Sequence, residues 1–523
     1  MHDIVIVGAG TAGCVVASRL SEDPELSVLL VEAGSRSWKL EVRVPAAFSK
    51  LYRTELDWGD STVPQTALDG REIVFPRGRV LGGSAAINAM MVLRGHPGSY
   101  DAWDAAGCPG WAWADVEAAF ARSSDGSFPR AELRDRHTLT DAFIEAARAE
   151  GIPFTADLND ADATGVGNVP VSQRRGRRFS VVDGYLGPAA RRPNLTVLTE
   201  AVVSRVLLDR GRAVGIAYRS DGSSHEEEAL AEREVILCAG SIGTPHLLQL
   251  SGVGPRRILE EVGIELVHEL RGVGANLLDH LANGLLVYTK EVETLASAES
   301  LRNLVRWAVR GRGPLTSNVA EAAAFLRTRP DLPTPDLELV FAPVLFEEEG
   351  LKQPTEHGLT LAVVLLQPLS VGTVELRSAD PSVPPAIDPR YLTDPGGEDA
   401  RRLLHGLRLA RRVLAREPLA RYVDRELLPG EQATSDDELT AHLRARSQTL
   451  YHPVGTCRMG TDELAVVDPE LRVRGIQGLR VADASVMPSL PTGHTNWPTV
   501  MIAERAADLI ATAYSATRPV SAR

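Results

Sequence analysis

A glycine pattern constrains this chain more than any other feature. Gly8-Ala9-Gly10-Thr11-Ala12-Gly13 reads G-x-G-x-x-G. The β-branched run Ile4–Val7 leads into it, the helical stretch Cys14–Leu20 leaves it, and a second apolar run, Val28–Val31, follows. Strand, glycine turn, helix and strand together predict a β-α-β unit, the context that gives the motif meaning. The glycines permit a tight turn and let the backbone approach a pyrophosphate. The helix N-terminus adds unpaired N–H groups and positive potential. Glu32 ends the second run about 20 residues further on, where a carboxylate accepts hydrogen bonds from a ribose diol. A bare glycine turn would not need that acid. The motif alone does not separate NAD from FAD.

The chain has 523 residues, enough for roughly two to four structural units. Leu195–Leu198 and Val202–Leu208 read as strands. Glu234–Ala239 reads as a strand ending in Gly240, with a helix at Pro245–Leu250. Between Gly284 and Tyr451 the texture changes, and segments such as Leu337–Val340 and Leu359–Leu366 predict an antiparallel sheet able to cover a ligand. Arg401–Arg416 has helical spacing with a solvated arginine face. Strand-turn-helix character returns from Gly478. The fold class is α/β (α+β overall), a nucleotide domain interrupted by a second domain.

A net charge of −13 argues against a nucleic-acid partner, which needs a basic face. Cys14, Cys108, Cys238 and Cys457 form no C-x-x-C pair and read as small buried hydrophobes in a reducing compartment. No apolar run reaches the ~18 residues of a membrane span. Met1 runs straight into a strand without a basic leader, so a cytoplasmic protein without a signal peptide is expected.

Five further segments follow in order. They are Arg77-Gly78-Arg79-Val80-Leu81-Gly82-Gly83-Ser84-Ala85-Ala86-Ile87-Asn88-Ala89-Met90; Gly240-Ser241-Ile242-Gly243-Thr244-Pro245, running on to Leu250-Ser251-Gly252-Val253-Gly254-Pro255; Tyr451-His452-Pro453-Val454-Gly455-Thr456-Cys457-Arg458-Met459-Gly460; Val481-Ala482-Asp483-Ala484-Ser485; and Gly493-His494-Thr495-Asn496-Trp497-Pro498-Thr499. Together they resemble the signatures of the glucose–methanol–choline oxidoreductases, from Ile4 to Ile510. Ala85 departs from the small hydroxyl or glycine usual there, and only a small local change is expected.

The resemblance implies FAD on a Rossmann-like domain, with an antiparallel-sheet domain for substrate. Residues 1–155, 190–285 and 450–523 would form the first, and 156–189 and 286–449 the second. The cofactor residues implied begin with Gly8, Gly10, Thr11, Ala12, Gly13, Glu32 and Ala33. Arg79, Gly82, Gly83, Asn88 and Met90 follow, the glycine pair leaving room for an isoalloxazine ring and Asn88 meeting its edge. Val203 would meet adenine through its backbone, with Ala239 nearby. Asp483 and Ala484 would lie near the ribityl–pyrophosphate region. Asn496, Pro498 and Thr499 would open a helix aimed at the flavin's pyrimidine end, favouring the anionic reduced ring. Where some members carry a histidine that links FAD covalently, this chain has Ile87, so non-covalent FAD is expected.

Alcohol oxidation by a flavin needs the hydroxyl proton removed and hydride passed to N5. A neutral imidazole accepts such a proton near neutral pH. His452 matches the family's catalytic base and His494 its second active-site position. His280, in Val273-Gly274-Ala275-Asn276-Leu277-Leu278-Asp279-His280, reads as structural, and His96 and His246 as ordinary polar or core residues. Two histidines are too few for a closed metal site, and no metal is expected. No G-x-S-x-G elbow points to serine chemistry.

The function read from these residues is oxidation of a small-molecule alcohol, a primary one by default, aliphatic or aromatic, with sugars left open. Choline would want an aromatic cage and a carboxylate, which the sequence does not place. Dioxygen or a quinone would reoxidise the flavin. Leu450 and Tyr451 flank the expected access route, and an oxidase is slightly favoured over a dehydrogenase. The alternatives are a non-redox FAD-containing lyase or photodecarboxylase on the same scaffold, and an NAD-dependent dehydrogenase.

Overall fold

A computed structural model describes residues 1–162, 164–223 and 225–517. The β-branched run becomes strand His2–Val7, followed by helix Thr11–Leu20 and strand Val28–Val31. These strands are parallel, Val7 standing beside Val31. Leu195–Leu198 joins beside Val28–Val31, and Glu227–Leu237 lies on the other side of His2–Val7. Leu479–Val481 adds a parallel partner to Glu227–Leu237. The first half of that long strand turns out of this layer and pairs antiparallel with Arg212–Ser220, which in turn pairs with Ala201–Asp209. One strand thus carries the parallel sheet into a three-stranded meander.

The expected helix at Pro245–Leu250 begins earlier, at Gly240. Its first turn is fixed by Asp483, whose carboxylate accepts from the Gly240 N–H (2.8 Å) and the Thr244 hydroxyl (2.6 Å). Sequence context around Pro245 gives no sign of that distant cap.

A second, antiparallel sheet runs in the order Ala322–Leu326, Leu337–Ala342, Gly358–Leu365, Leu281–Thr289, Val423–Leu428, and the short strand Gln448–Thr449 also pairs with Leu281–Thr289. Strand geometry sends alternate residues to opposite faces. Leu337, Leu339, Phe341, Leu359, Leu361 and Val363 pack against helices Thr138–Ala149 and Glu398–Leu414. The intervening positions, Val340, Ala342, Thr360 and Ala362, face a cavity instead. Those residues are small, so the sheet leaves space between itself and the parallel layer.

Candidate active site

The parallel strands end level. Val7 pairs with both Val31 and Leu237, and Leu237 pairs with Val481. The chain therefore leaves them together, at Gly8, Glu32, Cys238 and Ala482. A cavity of about 600 Å³ opens at this edge and reaches across to the antiparallel sheet. Ligands of open parallel sheets bind at such carboxyl edges.

The turn at this edge needs its glycines. Gly8 has φ +95°, and a Cβ there would lie 2.6 Å from the Cys238 carbonyl oxygen. A Cβ at Gly83 (φ +52°) would lie 2.7 Å from Gly10 Cα, so the two glycine loops touch backbone to backbone. Glu32 holds the turn from below, accepting from the N–H groups of Ala9 and Gly34, both at 2.8 Å. Burial pushes its pKa up to about 7.

Two helix N-termini meet here. The Thr11 hydroxyl donates to Asn496 Oδ1 at 2.8 Å, joining the start of helix Thr11–Leu20 to that of helix Asn496–Thr517. Both ends stand on the cavity wall through Gly10, Thr11, Ala12, Asn496 and Thr499. Each brings unpaired N–H groups and positive potential suited to an anion.

Unused polar groups on the wall fit a dinucleotide. His246 Nε2 is buried without a partner among the described residues, on a helix whose Leu247 and Leu250 line the cavity with Val202 and Val203. Burial lowers the His246 pKa to about 4, keeping a neutral ring. Asn88 Oδ1 accepts from Arg178 Nη1 (2.8 Å) and from the Met90 N–H (3.0 Å). Those bonds fix the amide so that its NH₂ is the group left over. The glycine cradle, the paired helix ends and these groups match what FAD requires.

At the far end of the cavity three histidines cluster, and two of them, His280 and His452, are joined by a hydrogen bond. His280 Nε2 lies 3.1 Å from the Leu366 carbonyl oxygen, and its Nδ1 lies 3.0 Å from His452 Nδ1. A carbonyl only accepts, so His280 carries its proton on Nε2. Burial holds the His280 pKa down to about 3, so the ring is neutral and its Nδ1 is an acceptor. His452 must then donate from Nδ1, which leaves Nε2 as its unprotonated nitrogen. Burial, together with His494, His280 and Arg77, holds the His452 pKa well below its ordinary value.

The ring of His494 stands edge-on to that of His452, with centroids 4.6 Å apart. Its Nε2 lies 3.2 and 3.3 Å from the two oxygens of Glu338, which is fully buried. Glu338 shares the cavity-side face of its strand with Val340 and Ala342. Asp279 anchors the His452 backbone, accepting its N–H at 2.8 Å. The hydroxyls of Tyr391 and Thr449 donate to the other oxygen of Asp279. Burial pushes the Asp279 pKa up to about 6.

His452 and His494 line the cavity together with Gly8, Gly10, Thr11, Ala12, Glu32, Ala33, Arg79, Gly83, Asn88, Met90, Val203, Ala239, Asp483, Ala484, Asn496 and Thr499. Gly13, Gly82 and Pro498 stand off its wall. Gly13 acts on packing: a Cβ there would lie 1.9 Å from the Gly8 carbonyl oxygen. Gly82, with φ +97°, donates its N–H to the Ala9 carbonyl at 2.8 Å. Pro498 occupies the first turn of its helix. His96 caps helix Pro97–Ala105 by accepting the Gly98 N–H.

Sequence reasoning missed Glu338 and the link from His280 to His452, and it read His246 as ordinary. It also missed Phe48, Tyr52 and Phe346, which line the cavity with Tyr451. A carboxylate inside the apolar run Leu337–Ala342 was the one visible signal.

The family model for GMC oxidoreductases matches residues 2–282 in its N-terminal part and 368–503 in its C-terminal part. An uncharacterized GMC-type oxidoreductase of Mycobacterium tuberculosis is 48% identical over 97% of this chain and 99% of its own length. An alcohol dehydrogenase [acceptor] of Pseudomonas putida is 41% identical over 98% of this chain and 96% of its own. The crystal structure of a pyridoxine 4-oxidase from "Mesorbium loti" superposes with a TM-score of 0.89 at 31% identity, covering 99% of this chain and 100% of that one. The chain belongs to the GMC oxidoreductases, FAD flavoproteins that act on alcohol-type donors.

Proposed function

We propose that this chain oxidises an uncharged primary alcohol to the carbonyl, with His452 Nε2 taking the hydroxyl proton. The hydrogen-bonded chain from the Leu366 carbonyl through His280 to His452 carries this reading, because it leaves a lone pair on that nitrogen. FAD supplies the hydride acceptor when bound. His494, held by Glu338, orients the alcohol oxygen beside His452. The cofactor residues proposed are the wall residues named above, with Gly13, Gly82 and Pro498 shaping the backbone around them. Ile87 lines the cavity where a linking histidine would stand, which supports non-covalent FAD. Acid precipitation should leave a colourless pellet and free FAD.

An uncharged substrate follows from the wall near the histidines. Phe48, Tyr52, Val319, Val340, Ala342 and Phe346 are apolar or aromatic there. The wall carboxylates Glu32, Asp60 and Asp483 lie on other segments, and Glu338 is taken by His494. A quaternary ammonium would thus find aromatic faces without a free counter-charge. The acceptor we favour is a quinone or carrier, against the slight lean of the sequence to dioxygen, because the relative at 41% identity is named for an acceptor-linked dehydrogenase.

The test is anaerobic stopped-flow reduction with aliphatic, benzylic and choline substrates, then reoxidation by air or a quinone. His452→Ala should keep FAD yet slow reduction by roughly 10²–10⁴-fold. Near-normal reduction in that variant, or choline as the best substrate, would overturn the reading.

A further inference from the structure

Helix Leu301–Arg310 presents its apolar residues to solvent. Leu301, Val305 and Val309 are spaced i, i+4, i+8 along one outward ridge and are 77%, 55% and 78% exposed. Arg302, Arg306 and Arg310 form a second ridge beside it at the same spacing. On the opposite side Trp307 is buried, its indole N–H donating to the Gly176 carbonyl at 2.8 Å. Ser300 caps the first turn and Gly311 (φ 56°) closes the last, so the helix is complete at both ends. A helix at the surface of a globular protein normally turns its apolar stripe inward.

The patch extends beyond this helix. Arg177 donates to the Ala308 carbonyl (3.1 Å), and its neighbour Arg178 donates to the Val42 carbonyl (2.9 Å). That pair brings the segment with Trp38 (80% exposed) and Leu40 (49% exposed) alongside. Arg36 lies over the Trp38 ring. Arg306 and Arg312 share Asp135, whereas Arg302 and Arg310 belong to no ion pair among the described residues. A basic, apolar patch on a chain of net charge −13 is a local reversal of sign.

We infer that this face docks on an anionic lipid surface. A bilayer satisfies both ridges at once: the acyl boundary takes Leu301, Val305 and Val309, and headgroup phosphates take the arginines. A second copy meeting the same patch across a two-fold axis would set the arginine row against itself. No helix among the described residues is long and apolar enough to cross a membrane, so the attachment is to the surface. Trp307 belongs to the same apolar cluster as Phe48, Tyr52, Val319 and Ala342, which line the cavity. If the reading under Proposed function holds, docking turns that apolar wall toward the phase in which apolar alcohols and quinones dissolve.

The experiment is co-sedimentation of the full FAD-loaded chain with vesicles of phosphatidylcholine alone or with about one third phosphatidylglycerol. The chain should follow the anionic vesicles at low salt, bind the neutral ones roughly tenfold less, and come off as added salt shortens the Debye length. The triple variant Leu301→Ser, Val305→Ser, Val309→Ser should lose roughly tenfold or more of the binding, with flavin reduction in solution unchanged. Absence of wild-type binding to anionic vesicles, or equal binding by the triple variant, overturns the inference. So does a wild-type dimer that the triple variant converts to monomer, which would give the face to a second copy. Vesicle binding is read without turnover, so its failure and a failure of the oxidation reading are told apart.

Discussion

The two ends of the cavity are built from different materials. At the parallel sheet the wall is largely backbone: glycine loops in contact, strand ends in register, and two helix N-termini. At the antiparallel sheet it is side chain: His452, His494, His280 and Glu338 on separate segments, positioned through one another. The first end tolerates no added atom where loops touch, whereas the second tolerates atoms but not a lost proton donor or acceptor. Binding of the cofactor and chemistry on the substrate should therefore fail separately.

Gly13→Ala should have the largest effect. Its Cβ would meet the Gly8 carbonyl oxygen at 1.9 Å, and neither is a flexible side chain. Bound flavin per mole of protein should fall by roughly 100-fold or more, at a position that does not touch the cavity. Wild-type flavin content in that variant would break the distinction between the two ends. His452→Ala should come next, with flavin content kept and reduction slowed as stated above.

His280→Phe should slow reduction by roughly 10–100-fold. That is less than the ~10⁴ lost when a catalytic triad loses its orienting carboxylate, because Asp279 still holds the His452 backbone. His280→Asn, whose amide oxygen can accept from His452 Nδ1, should recover part of the rate. If both variants behave alike, His280 only fills space.

A milder prediction concerns pH. Burial, with His494, His280 and Arg77 beside it, lowers the His452 pKa, so its neutral form persists below pH 6.5. The rate of reduction should stay flat as pH falls through that value and decline only further down, and an acid limb at or above 6.5 would contradict the assigned base. Smallest of all, Ala85→Ser should change reduction and flavin content by less than about threefold. The Ala85 carbonyl accepts from Arg178 Nη1 at 3.1 Å, a backbone bond that the substitution keeps.

The same contrast explains what the sequence discloses. The strands around Gly8 and Glu32, the Arg77–Met90 loop and the helix at Asn496 are contiguous words, each with a local physical reason; the strands and the helix form where they were expected, and the loop carries the family's signature. The antiparallel sheet was visible in the alternation of Leu337–Val340 and Leu359–Leu366. His280 was not legible as a partner of His452, because 172 residues separate them and strand register alone brings them together. His246 looked like a core histidine because its unpartnered nitrogen is apparent only with the cavity in place. The cluster of Phe48, Tyr52, Phe346 and Tyr451 joins three distant segments, so a composition of 5% aromatics concealed it.

The bond between Thr11 and Asn496 spans 485 residues. Arg19 and Glu504 tie the same two helices. During synthesis at ~5–20 residues per second, the glycine turn leaves the ribosome roughly half a minute to a minute and a half before its partner helix exists. Throughout that interval the first β-α-β unit lacks one wall of its pocket. Cofactor loading therefore waits for the Asn496 helix, and FAD supply acts on chains synthesised at least that far.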